Sequence, residues 1–232
     1  MVFFMKDKLN CKLKKFLLGF ASGVMIAASI WSLIIPSLEL SIESKIKWLS
    51  TTVGFSFGII LLLVLDKLIE RNNVNNNISS KKDLLMMIIA VTLHNIPEGI
   101  AVGVAFAGAL SNESFITIPQ AMVLSLGVAI QNFPEGAIIS LPLKNEGVGK
   151  KKSFIYGVLS GIVEPIGAII TIKLTSIILP FLPLFLAFAA GAMFYVVINE
   201  LIPETNIENG TIGTISFTAG FLIMMILDIS LG

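Results

Sequence analysis

The stretch "LHNIPEGI", Leu93 to Ile100, sets the chain's only histidine beside an asparagine, a proline and a glutamate in a long apolar segment. Thirty-seven residues on, "IQNFPEGA", Ile130 to Ala137, repeats the Asn-x-Pro-Glu-Gly skeleton with glutamine in the histidine's place. Each hexapeptide joins a helix-breaking residue to a carboxylate where hydrocarbon would be expected. Ionisable groups inside a membrane span are costly and mark function by default.

The surroundings fix the class. Hydrophobic residues make up 55% of the 232, charged residues 13%, and the mean hydropathy is +0.92. That excess of apolar surface belongs to an integral membrane protein rather than a soluble domain. The net charge of +1 is uninformative, and the basic residues cluster in short loops between apolar runs, so nucleic acid is not an expected partner. One cysteine, Cys11, excludes an internal disulfide framework and a multi-cysteine metal site. The N-terminal "MVFFMKDKLNCKLKK" does not read as a cleavable signal.

A spanning helix needs about 20 mostly apolar residues. Seven runs qualify: 16–35, 48–65, 84–108, 119–143, 153–172, 176–201 and 211–231. They are continuous rather than alternating, which predicts an all-α bundle in the lipid bilayer and not a barrel. The chain reads as a single transmembrane domain over 1–232, with a basic cytoplasmic segment at 1–15 and a polar cytoplasmic loop at 67–82. Thirteen Lys and Arg fall on the side of the N-terminus and only Lys45, Lys47 and Lys173 on the other. The positive-inside rule then predicts a multi-pass protein of the cell's inner membrane, N-terminus cytoplasmic and C-terminus outside.

Helix rise converts position into depth. His94 and Asn95 lie roughly 15 Å into their span, Gln131 to Glu135 about 18–24 Å into the next, and Glu164 of "GIVEPIG" roughly 16 Å into a third. Met25 reaches a similar level on the first. A carboxylate at that depth costs about 2.5–3.5 kcal/mol. None of the seven spans carries a lysine or arginine at that level, so ion pairing does not offset the cost. Protonation, water or bound cations must.

His94 and Glu98, four apart, share a helix face suited to gripping one ion; Asn95 and Glu98, three apart, suit a second, adjacent position. Gln131, Asn132 and Glu135 repeat the arrangement. Pro97 and Pro134 each remove a backbone hydrogen bond and free a carbonyl, while Gly99 and Gly136 let a neighbouring helix approach. Consecutive spans run in opposite directions, so the repeated motifs would meet about a pseudo-twofold axis in the membrane plane, an inverted-repeat arrangement. One imidazole with carboxylates and amides suits a borderline divalent metal: Zn²⁺ first, with Fe²⁺, Mn²⁺ or Cd²⁺ as alternatives. Carboxylates alone would have suggested Ca²⁺ or Mg²⁺. No organic cofactor is expected.

"HNIPEG" with "QNFPEG", together with "GFASGVMIAASIWSLIIP" upstream and "GFLIMMILD" at the end, resembles the ZIP family of divalent-metal transporters, in its bacterial GufA-type branch. The resemblance runs from Phe16 onward. It implies a carrier with eight helices, a homodimer, and a binuclear centre between the two motif helices. Its first position would use Met25, His94, Glu98, Gln131 and Glu135; its second Asn95, Glu98, Asn132, Glu135 and Glu164, with Glu98 and Glu135 bridging. Ser32 would line the outer entrance, and Asp66, Asn199 and Glu200 would receive the metal on the cytoplasmic side. The function so implied is import of divalent metal, chiefly Zn²⁺. Three features depart from the family's pattern. Its first helix has at most "MVFFM" as a counterpart, Asn132 stands where related bacterial members often carry aspartate, and the loop "RNNVNNN" lacks histidines.

Other readings stand beside this one. The hexapeptides can be read as structural kinks with protonated glutamates, Met25 as apolar filler, and His94 as an interhelical hydrogen-bonding group. Glu39, Glu43 and Glu204 read as solvated charges, the last at the cytoplasmic mouth, and Asp228 as a helix-end residue. An intramembrane metal-dependent enzyme is a rival function, yet a metalloprotease helix needs two histidines and this chain has one. A proton-coupled carrier of a non-metal substrate is the other.

Overall fold

A computed structural model describes residues 11–41, 46, 48–72, 81–111, 116–145, 147–205 and 211–231. Residues 1–10, most of the basic N-terminal segment, lie outside the described residues, as do Glu43, Lys45, Lys47 and residues 73–80 of the predicted loop. All described elements are helical. We number the long helices α1 (Cys11–Leu40), α2 (Leu49–Asn72), α3 (Lys81–Ala109), α4 (Ile118–Asn145), α5 (Lys150–Lys173), α6 (Thr175–Thr205) and α7 (Ile212–Leu231). Six are long and apolar enough to cross a membrane, and α3, at 29 residues, also exceeds the length needed. The fold is an all-α polytopic membrane bundle, as the apolar runs predicted.

Most helices overrun their apolar spans. The first begins at Cys11 rather than 16 and the second continues to Asn72, so part of the predicted loop is helical. The added end turns carry lysines, Lys12, Lys14 and Lys15 on α1 and Lys144 on α4.

Several interruptions were not predicted, among them a 3₁₀ turn at Leu179–Phe181 near the start of α6. α1 widens to a π-helical segment at Ser29–Ile34, and α6 does so at Val197–Leu201. Such single-turn insertions concentrate at functional sites. α5 breaks at Ile162, three residues before Pro165, whose ring nitrogen has no hydrogen to give the carbonyl of Gly161. Pro97 and Pro134, in contrast, sit within uninterrupted helices.

Tight pairs build the bundle. On α1 a Cβ at Gly23 would meet the Phe217 carbonyl of α7 at 2.0 Å, and one at Gly191 of α6 would meet the Phe55 carbonyl of α2 at 2.1 Å. Lipid supplies no hydrophobic drive between helices, so backbone-to-backbone packing of this kind holds them together. Met25, Leu33, Leu124, Leu186 and Met193 fill the core between the pairs. Large apolar side chains such as Phe57, Ile169 and Ile226 remain exposed on the outside, where a bilayer would cover them.

Candidate metal centre

α3 and α4 carry the two hexapeptides, and both bury them. Asn95 is 3% exposed, Glu98 2%, Gln131 0% and Glu135 7%. The third contributor enters from the break in α5. Glu164 lies in the first turn of the segment that restarts at Val163 and is 5% exposed. Its backbone crosses α3 at Gly99, where a Cβ would stand 2.4 Å from the Glu164 carbonyl oxygen and 2.6 Å from its Cα. Any side chain at position 99 would displace Glu164. The carboxyls of Glu98, Glu135 and Glu164 lie close enough for their like charges to act on one another.

Two amides are engaged. Asn95 Nδ2 donates to the Ser160 carbonyl at 3.1 Å, and Asn132 Nδ2 donates to Glu164 Oε2. The remaining polar atoms are left over: Glu98 Oε2, Glu135 Oε1, Glu164 Oε1, Asn132 Oδ1 and both amide atoms of Gln131 are buried without a partner. Unsatisfied polar groups cost several kcal/mol each away from water. Oxygen donors in this number, with no basic residue at their level on the predicted spans, suit a cation.

A cavity of about 60 Å³ adjoins these groups, lined among others by Asn95, Glu98, Glu135, Glu200 and Glu204. A wider cleft of about 500 Å³ between α4 and α5 reaches Asn132, Glu135 and Ser160. Glu135 faces both.

The predicted ligands divide in their placement. Asn95, Glu98, Gln131, Asn132, Glu135 and Glu164 gather at one region. Met25 is fully buried in the apolar core on α1. His94 lies on α3, and its side chain is outside the described residues. Among the described residues no three His, Cys, Asp or Glu side chains close on one point. Asn132 is set against one of the carboxylates, Glu164, and Asn95 against a backbone carbonyl.

Along the predicted pathway, Asp66 accepts hydrogen bonds from Tyr195 Oη at 2.7 Å and from Asn199 Nδ2 at 3.2 Å. Tyr195 was not anticipated. Ser32, inside the π-helical segment of α1, donates to Asp228 Oδ1 at 2.5 Å, and Asp228 is 7% exposed. Asp228 is therefore a buried partner of Ser32, not a loose helix end. Nor is Glu204 merely solvated: its Oε2 lies 2.6 Å from Lys14 Nζ. The sequence offered no local signal for either pairing. Gly136 was expected to admit a neighbouring helix, but a Cβ there would find only ordinary contact, with Gly157 O at 3.7 Å. The demanding position is Gly157 itself, 2.9 Å from the Gly136 carbonyl.

The fold and this cluster define a polytopic helical membrane protein with a buried, oxygen-rich polar cluster. The sequence model of the family described as ZIP Zinc transporter matches residues 70–228. Zinc transporter ZIP11 of Xenopus tropicalis is 34% identical, the match covering 93% of this chain and 87% of that protein. Zinc transporter ZIPB of Bordetella bronchiseptica is 34% identical over 93% of this chain and 71% of its own length. Zinc transporter GufA of Myxococcus xanthus is 32% identical, over 92% and 85%. The chain belongs to the ZIP zinc transporter family, whose named relatives are transporters and not enzymes.

Proposed function

We propose that this chain carries divalent metal, chiefly Zn²⁺, across the inner membrane into the cytoplasm. The observation that carries this reading is the set of buried, unpartnered oxygens on Glu98, Glu135 and Glu164, with no lysine or arginine at their level on any of the predicted spans. Dications in two adjacent positions would give these oxygens partners. Two adjacent positions are assigned: one built from Met25, His94, Glu98, Gln131 and Glu135, the other from Asn95, Glu98, Asn132, Glu135 and Glu164. The imidazole of His94 inclines the first toward a transition metal over Ca²⁺. Fe²⁺, Mn²⁺ and Cd²⁺ fit the same donors.

Ser32 and Asp228 are assigned to the outer entrance, and Asp66, Asn199 and Glu200 to the inner exit. Inward orientation rests on the excess of lysine and arginine beside the N-terminus. A homodimer, in which paired scaffolds hold the moving helices, completes the reading.

The test is Zn²⁺ uptake into proteoliposomes by the wild type and by Glu98→Gln, alongside the competing metals. Saturable uptake that the substitution abolishes is expected. Uptake of equal rate in both proteins would remove the centre from the pathway.

A further inference from the structure

The acidic cavity does not end at the motif glutamates. It continues along α6, where the π-helical turn Val197–Leu201 swings Glu200 inward and the following turn places Glu204 on the same wall. Glu98, 2% exposed and with Oε2 lacking a partner, lines that wall too. At the far end Glu204 is held by a cation from another helix, Lys14 of α1, with 2.6 Å between Lys14 Nζ and Glu204 Oε2. The two residues are separated by 190 positions in sequence, and the contact joins the start of α1 to the end of α6.

We propose that Glu204 is the last protein ligand the departing metal meets, and that the Lys14 ammonium is a tethered competitor for it. Metal leaving the cavity displaces Lys14 from Glu204; Lys14 returns when the metal has gone and closes that end. The inference rests on the carrier reading above and adds to it a latch with a named key. A primary ammonium suits the role. It neutralises one carboxylate as a compact point charge on a flexible stem, so it withdraws without disturbing the helix. The pair is also weak enough to yield. With side chains 36% and 42% exposed, solvent screens it, and such pairs shift equilibria by only about two- to fivefold.

The experiment is Zn²⁺ flux through sealed vesicles of each orientation, reading the half-saturating concentration at each face separately. Lys14→Gln is expected to lower that value about two- to fivefold at the face bearing Lys14 and leave the opposite face unchanged. Lys14→Arg keeps the wild-type value, and Lys150→Gln, an exposed lysine outside the pathway, serves as the control. Glu204→Gln raises the value at the same face, and adding Lys14→Gln to it then changes nothing more. An unchanged Lys14→Gln value, an equal change at both faces, or additive effects of the two substitutions overturns the latch. If the wild type carries no Zn²⁺ from either face, the carrier reading itself falls; if it does and Lys14→Gln is silent, only the latch falls.

Discussion

The two hexapeptides share a skeleton and differ in how the molecule holds them. In the first, Asn95 is tied to a backbone carbonyl, Ser160 O, and Gly99 is pressed against the backbone of Glu164. In the second, Asn132 reaches a side chain, the Glu164 carboxylate, and Gly136 has room for a methyl group. The first motif is thus anchored to main chain on two sides, while the second presents more of its residues to the 500 Å³ cleft and engages a carboxylate side chain. A repeated motif need not do a repeated job. One half fixes where α5 crosses, and the other half adjusts the carboxylate that crossing delivers.

The largest effect expected is on the shared charge. Glu98→Gln should lower Zn²⁺ uptake by more than about 100-fold, since changes one shell beyond a metal's ligands already cost about 10–100-fold. Glu135→Gln should match it; a much milder loss would mean that the second hexapeptide is dispensable and the comparison is lopsided.

Next come the asparagines. Asn132→Ala releases Glu164 and should weaken metal affinity about 10–100-fold. Asn95→Ala removes one neutral amide ligand and its bond to a backbone oxygen without freeing a carboxylate, so a smaller loss, about tenfold, is expected. Isothermal titration of the purified proteins with Zn²⁺ checks the order, and a reversed order would break the contrast. The smallest separation concerns the glycines. Gly99→Ala should destabilise the protein by about 1–3 kcal/mol through overpacking against Glu164, and Gly136→Ala should stay within about 0.5 kcal/mol. Thermal unfolding in detergent reads both; equal shifts would deny the anchoring role of α3.

Much of this was legible in the residues. Apolar runs gave seven helices because a bilayer imposes one length on every span, and the carboxylates in "HNIPEG", "QNFPEG" and "GIVEPIG" identified the cluster because nothing basic shared their level. What was hidden depends on contacts between distant positions. Ser32 meets Asp228 across 196 residues and Lys14 meets Glu204 across 190, and no local pattern encodes either. The equivalence of Gly99 and Gly136 failed for the same reason: a glycine's purpose lies in the helix opposite, and the residues opposite differ. Main-chain widening at Ser29–Ile34 and Val197–Leu201 left no mark either, since π and α turns draw on the same residues.

The widened turn of α6 has a consequence for length. A π turn accommodates one residue more than an α turn, so Val197–Leu201 sets the angular phase of everything after it. Tightening that turn to plain α geometry with every residue kept would rotate the remainder by about 100° about its axis. Glu204 would turn off the cavity wall and out of reach of Lys14, while the residues before the turn kept their places. The reading frame of that helix, as much as its composition, decides which carboxylate faces the path.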